Sequence, residues 1–131
     1  MKGGQLRRIT VENKEYIYII KNDYKSESGA TILIIRMFLS GQKSKPLISH
    51  FVTFCDTLHG HPLYAGGHLL NHATNSMEYF IIHRPKYIRG FILEAIKAGW
   101  TGTNQLGIQN GIAYLNNAGF NTSSLMINYK K

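Results

Sequence analysis

The sequence has little cysteine, few acidic residues and no long apolar run, and each shortage excludes a class of protein. The single cysteine, Cys55, excludes an internal disulfide framework and is typical of a reducing compartment. No basic stretch followed by an apolar one opens the chain, so we expect no signal peptide. The longest apolar run, residues 30–39, contains Arg36 and is too short to cross a bilayer. We therefore expect a cytoplasmic protein that crosses no membrane.

The shortage of acids leaves 15 Lys and Arg against 7 Asp and Glu, a formal net charge of +8. Such an excess favours an anionic partner: an acidic protein surface, nucleic acid or a phosphorylated small molecule. The basic residues are scattered in pairs such as Arg7-Arg8 and Lys130-Lys131, a pattern that is also typical of a solubility feature. The acids form no catalytic pair. No Ser-His-Asp elbow and no dinucleotide fingerprint is found, so we expect no cofactor and lean against an enzyme.

A length of 131 residues with 44% hydrophobic content predicts one folded globular domain over residues 1–131. Period-two apolar patterns predict strands, with Tyr16, Tyr18 and Ile20 on one face of the second and Ile17 and Ile19 on the other. The predicted strands are residues 8–11, 15–21, 30–39, 47–54 and 77–83, with a further one possible at 125–129. Consecutive strands followed by helix predict an α+β fold: an antiparallel sheet of four to six strands with one or two helices on one face.

The clearest segment is an amphipathic helix, expected over residues 85–98. Pro85 suits the first helical position, and Gly99 followed by Trp100 suits a Schellman ending. Arg84 stands at the N-cap, where a side-chain acceptor would be preferred and where a cation opposes the helix dipole. One buried stripe follows the helical spacing: Ile88, Phe91, Ile92, Ala95 and Ile96.

After Trp100 two structures compete for the segment around residues 104–118. Asn110-Gly111 between apolar runs is a hairpin signal. The run that ends in Ala118, Gly119 and Phe120 repeats the Ala-Gly-aromatic ending of the first helix. We favour a second helix for that reason.

The segment from Pro85 through Ile88-Arg89 to Gly99-Trp100 resembles a group of small, mostly uncharacterised bacterial single-domain proteins. These run as a strand meander followed by a Pro-initiated helix that ends in Gly-Trp. The opening ITVENKEYIYII also fits, so the likeness covers roughly residues 9–100. It implies the same order of elements, and no activity is carried over. Arg84, the histidine-bearing segment and everything after Trp100 depart from the pattern.

Four of the six histidines lie in a segment without a clear strand or helix pattern, residues 55–75. His59 and His61 would share one side of an extended chain, and His68 and His72 would share one face of a helix. Together the four are candidate zinc ligands, although no acidic residue accompanies them in a His-Glu-x-x-His motif. The more common role for such residues is as surface and hydrogen-bonding histidines. We expect them near one accessible surface that contacts a ligand or partner.

Two weaker features lie in the same segment. Cys55 near His59 has the residue types of a thiol nucleophile, but it more simply ends a buried strand. Gly66-Gly67 would approach a phosphate if a helix began at His68; turn residues are the simpler interpretation.

These features leave three functional hypotheses. The first is a non-catalytic, cytosolic bacterial protein-binding module, immunity-like or regulatory, that engages an acidic partner surface. The alternative is a binder of an anionic ligand, either nucleic acid or a phosphorylated small molecule, and the third is a zinc-dependent hydrolase. Arg84, Lys86 and Arg89 are the cations expected to join the four histidines in binding.

Overall fold

The computed structural model describes residues 6–25, 30–53, 63 and 67–123. The predicted strand at 125–129 and the proposed strand end at Cys55 lie outside these residues. The described elements are β1 (Arg7–Val11), β2 (Lys14–Lys25), β3 (Ala30–Leu39), β4 (Leu47–Thr53), β5 (Gly67–Asn71), β6 (Ser76–Phe80), α1 (Pro85–Lys97), β7 (Gln109–Asn110) and α2 (Gly111–Asn117).

The main sheet has the strand order β1-β2-β3-β4-β7, with β1 to β4 antiparallel and β7 parallel to β4. The turn from β1 to β2 uses left-handed conformations at Glu12 (φ 51°) and Asn13 (φ 67°). Strand alternation buries one face, formed by Ile9, Val11, Tyr16, Tyr18, Ile20, Leu33, Ile35, Met37, Leu47 and Phe51. The predicted α+β class is therefore confirmed, and β2, with apolar residues on both faces, lies inside the sheet between β1 and β3.

Helix α1 covers the buried face of the main sheet. Its Phe91 ring packs on Phe51 of β4 with centroids 5.3 Å apart, and Trp100 packs on Tyr16 of β2 at 5.7 Å. The Schellman ending is confirmed, because the Trp100 N–H donates to the Ala95 carbonyl and Gly99 has φ 112°. The stripe Ile88, Phe91, Ile92 and Ala95 is buried as predicted, whereas Ile96 is only partly buried.

Helix α2 confirms the helical alternative for residues 111–117, whereas residues 109–110 form the short strand β7 and residues 104–108 are not helical. The Asn110 side chain accepts hydrogen bonds from the N–H groups of Ile112 (3.0 Å) and Ala113 (3.2 Å), so it caps the helix instead of turning a hairpin. At the other end, Gly119 has φ 101° and the Phe120 N–H donates to the Leu115 carbonyl. The two helices therefore end in the same way.

A separate two-stranded sheet, β5–β6, was only half predicted. The strand expected at residues 77–83 is β6, and it pairs with β5 instead of joining the main sheet. The expectation that residues 55–75 have no strand was wrong for β5. His68 lies in this strand, so neither a helix beginning there nor a helical His68–His72 pair is formed.

We expect Phe91→Ala to lower the free energy of unfolding by about 3–5 kcal/mol, because the ring is buried between helix and sheet and its loss leaves a cavity. Lys97→Ala, on the exposed side of the same helix, should change it by less than about 0.5 kcal/mol. Urea denaturation of both variants measures the difference. Equal losses would contradict the assignment of the buried face.

Candidate functional site

The β5–β6 hairpin separates two sets of side chains by simple alternation. Leu69 and Glu78 form one cross-strand pair and point toward the helices, whereas His68 and Tyr79 form the next pair and point outward. The backbone is tied to the end of α2 by hydrogen bonds from the His72 N–H to the Gly119 carbonyl (2.7 Å) and from the Asn121 N–H to the Leu70 carbonyl (2.8 Å). The end of the hairpin that carries the β5–β6 turn is thus held against the C-terminal end of α2.

The outward side forms an exposed patch that we call the hairpin surface: His68, Leu70, Met77, Tyr79 and Arg84. Met77 is 60% exposed and Tyr79 is 39% exposed. The Arg84 guanidinium lies over the Tyr79 ring, 5.6 Å from its centroid, and the His68 ring packs against it at 5.1 Å. Two basic side chains therefore flank one exposed aromatic ring beside an exposed methionine.

The inward side carries a polar cluster centred on the Glu78 carboxylate. Tyr87 donates a hydrogen bond to Glu78 Oε2, and Asn71 Nδ2 donates to Oε1 at 3.1 Å. Lys86 Nζ lies 3.2 Å from Oε2. The Tyr87 hydroxyl also lies 3.2 Å from the carbonyl oxygen of Tyr79. The first turn of α1 is therefore bonded to both side chain and backbone of β6.

The cluster fixes the protonation of its members. The hydrogen bond from Tyr87 is the main cause that holds the pKa of Glu78 below its ordinary value, against the opposing effect of burial. Burial, followed by the Glu78 carboxylate, raises the pKa of Tyr87 far above its ordinary value. At neutral pH Glu78 is therefore an anion and Tyr87 a hydrogen-bond donor.

A cavity of about 330 Å³, the aromatic cavity, opens beside this cluster between the hairpin, α1 and α2. Glu78, Glu94, Lys86 and Asn71 supply its polar groups, and Gly90 lies in its α1 wall. Its aromatic lining residues are Phe80, Tyr87, Phe91, Tyr114 and Phe120. An apolar concavity with a few converging polar groups is the usual form of a small-molecule site.

The sequence-predicted residues are dispersed over several surfaces. His59 and His61 lie outside the described residues. His68 and Arg84 meet at Tyr79, whereas His72 is exposed in the hairpin turn. Lys86 lies at the cavity and Arg89 donates instead to the Thr10 carbonyl of β1 (3.1 Å). Arg84, Lys86 and Arg89 therefore contact three different groups: the Tyr79 ring, the Glu78 carboxylate and the Thr10 carbonyl.

Sequence reasoning missed Glu78, Tyr79 and Tyr87. Tyr87 lies four residues before Phe91 and beside Ile88, so its helical spacing was a usable signal for burial. Glu78 and Tyr79 were predicted to lie in a strand, but their roles depend on which face of that strand packs against the helices. That depends on β5, whose pairing the sequence did not indicate.

Among the described residues, no group of three or more His, Cys, Asp and Glu side chains is arranged to hold a metal ion. Over the same part of the chain, none of the helices has both the length and the apolar character needed to cross a membrane.

No protein-family model matches this chain, and neither a curated protein nor a solved structure matches it. The resemblance to small bacterial proteins stays a prediction.

The Glu78 cluster predicts a specific dependence of stability on pH. Because the folded pKa of Glu78 lies below the ordinary 4.5, its ionisation stabilises the fold above that pH, and the contribution is lost as pH falls through the folded pKa. Tyr87→Phe should cost about 1–2 kcal/mol at neutral pH and flatten the loss of stability below pH 4.5. Urea denaturation across this range measures both effects.

Tyr114→Phe is the matched control, since its hydroxyl donates to the neutral side chain of Gln109 (3.3 Å). The loss in free energy of unfolding that Tyr114→Phe causes should be the same at neutral and acid pH. Parallel pH profiles for wild type and Tyr87→Phe would contradict the assigned role of the Tyr87 hydroxyl.

The glycine in the middle of α1 predicts a stabilising substitution. A Cβ built on Gly90 meets no atom within 4 Å, so alanine fits, and it should raise the free energy of unfolding by about 0.5–1 kcal/mol through helix propensity. Gly119→Ala should instead destabilise, because Gly119 has φ 101° and its Cβ would lie 3.1 Å from Asn71 Oδ1. Thermal unfolding distinguishes the two. A destabilised Gly90→Ala variant would show that the helix needs glycine.

Proposed function

We propose that this chain is a non-catalytic, cytoplasmic protein-binding module, of the immunity or regulatory type, that engages an acidic partner surface. The hairpin surface is the binding site. The observation that carries the proposal is the grouping of exposed Met77 and Tyr79 with Arg84 and His68. Tyr, Met and Arg are the residue types enriched at the centres of protein interfaces.

Charge supports an acidic partner. The chain has a net charge of +8, and the described side chains around Tyr79 include the guanidinium of Arg84. Arg84 is exposed and its side chain makes no capping hydrogen bond to α1. Arginine at this position gives up the capping hydrogen bond and places a cation over Tyr79. A partner carboxylate that approaches this ring could accept two hydrogen bonds from the Arg84 guanidinium, which lies on the apolar ring of Tyr79.

The geometry favours a protein partner over single-stranded nucleic acid, the alternative anionic partner. Nucleic-acid grooves offer aromatic faces on which bases stack. Here Arg84 already covers a face of Tyr79, and the His68 ring packs against it. One face of this exposed ring is therefore already engaged by a cation, and Met77 beside it supplies an adaptable apolar contact, a combination more typical of a protein interface than of a base-stacking groove.

The test is capture of partners by the tagged protein from lysate of its source cells, with and without nuclease and across a salt series. A protein partner should be retained after nuclease treatment. Tyr79→Ala should weaken capture by about tenfold or more, as expected for a central aromatic contact. Arg84→Glu should weaken it and reduce its salt dependence, because exposed charges are screened by salt.

Lys97→Glu is the matched control for Arg84→Glu, since it makes the same charge change about 20 Å away at the other end of α1. It should leave capture unchanged. Binding that disappears with nuclease would favour the nucleic-acid alternative. If Tyr79→Ala and Arg84→Glu both retain binding, as the control does, the hairpin surface is not the site.

A further inference from the structure

The aromatic cavity differs in charge from the rest of the chain. Its described lining residues include the carboxylates of Glu78 and Glu94 against the single ammonium of Lys86, although the whole chain carries +8. The remaining described lining is largely aromatic. Carboxylates combined with aromatic faces favour a cation with an apolar body and disfavour an anion, because ring faces carry negative electrostatic potential.

The protein itself places an ammonium group in this setting. Lys86 Nζ lies 3.2 Å from Glu78 Oε2 and 5.1 Å from the centroid of the Tyr87 ring. The rim of the cavity therefore already holds one partly exposed ammonium between a carboxylate and an aromatic ring. Glu94, on the next turns of α1, has a weaker partner, since Lys97 Nζ is 3.9 Å away and largely exposed. Glu94 is the carboxylate with most capacity for a second ammonium.

Gly90 is the second relevant observation, because it leaves room in the cavity wall. Glycine in the middle of a helix is unfavourable relative to alanine. Neither a positive φ nor a close neighbour within the described chain requires it, because a Cβ at this position meets nothing within 4 Å. The space that the missing side chain leaves belongs to the wall of the aromatic cavity. A ligand lying against α1 would use that space.

We propose that the aromatic cavity binds a small organic amine, with its ammonium group at Glu94 and its apolar body against the aromatic rings beside Gly90. The volume of about 330 Å³ is at the lower end of the range for small-molecule sites, so the body is about the size of one aromatic ring. This site lies on the opposite side of β6 from the hairpin surface, and it is independent of the proposed protein partner.

The test uses three probes of similar size and different charge: 2-phenylethylamine, 2-phenylethanol and phenylacetate. Isothermal titration calorimetry on the full chain should show the amine binding about tenfold or more tightly than the alcohol, with phenylacetate weaker still. Equal affinity for the three probes, or no saturable binding of the amine in the millimolar range, would overturn the proposal.

Two variants locate the site. Glu94→Gln should weaken the amine about tenfold and leave 2-phenylethanol unchanged, a pattern that loss of structure would not produce. Glu15→Gln, which removes the same charge from an exposed side chain at the start of β2, is the matched control and should bind as wild type. Gly90→Leu should weaken the amine and the alcohol alike by filling the cavity. If Gly90→Leu does not fold, the comparison of Glu94→Gln with Glu15→Gln decides. Equal behaviour of those two variants would overturn the proposal.

Discussion

Burial of the main sheet by helix α1 is the constraint on which the other features depend. The sheet presents an apolar face from four strands, and α1 with Trp100 covers it through the Phe91–Phe51 and Trp100–Tyr16 contacts. These contacts fix both the position and the rotation of the helix. Because α1 is fixed by the sheet, the residues that lie off its buried stripe are fixed as well. They include Lys86, Gly90 and Glu94, and these residues form one wall of the aromatic cavity.

The first turn of α1 also binds the β5–β6 hairpin. Tyr87 packs on Phe80 with ring centroids 4.1 Å apart and donates to Glu78. On the other side, the hairpin backbone is bonded to residues at the end of α2, and Asn71 forms a bridge with Phe120. The two-stranded sheet therefore depends on contacts with two helices, as expected for a hairpin, which is marginally stable alone. The aromatic cavity is the space left between the hairpin, α1 and α2.

Local signals in the sequence were sufficient for the elements whose structure is decided locally. Pro85 and Gly99-Trp100 marked α1, and the repeated Ala-Gly-aromatic ending correctly favoured α2 over a hairpin at Asn110-Gly111. The alternation in β2 separated its two apolar faces, but only the structure shows that the face with Tyr16, Tyr18 and Ile20 is the buried one. The hairpin was not recoverable in this way, because β5 is short and mixes glycine, histidine and leucine. Its identity as a strand depends on pairing with β6 and on the helices that support both. The candidate site depends on that same tertiary arrangement, so only Lys86, Arg84 and His68 were singled out in advance.

Strand alternation also explains why the net charge does not describe every surface of this molecule. Glu78 and Tyr79 are neighbours in β6, yet one faces the aromatic cavity and the other faces solvent between His68 and Arg84. One strand thus separates a carboxylate-lined concavity from a cationic exposed patch. The Tyr87 hydroxyl contacts both residues, at the Glu78 side chain and at the Tyr79 carbonyl oxygen. The overall charge of +8 therefore does not reveal the carboxylates that line the cavity. The chemistry of each surface follows from which residues the hairpin register turns inward, and that register is fixed by burial of Leu69 and Phe80.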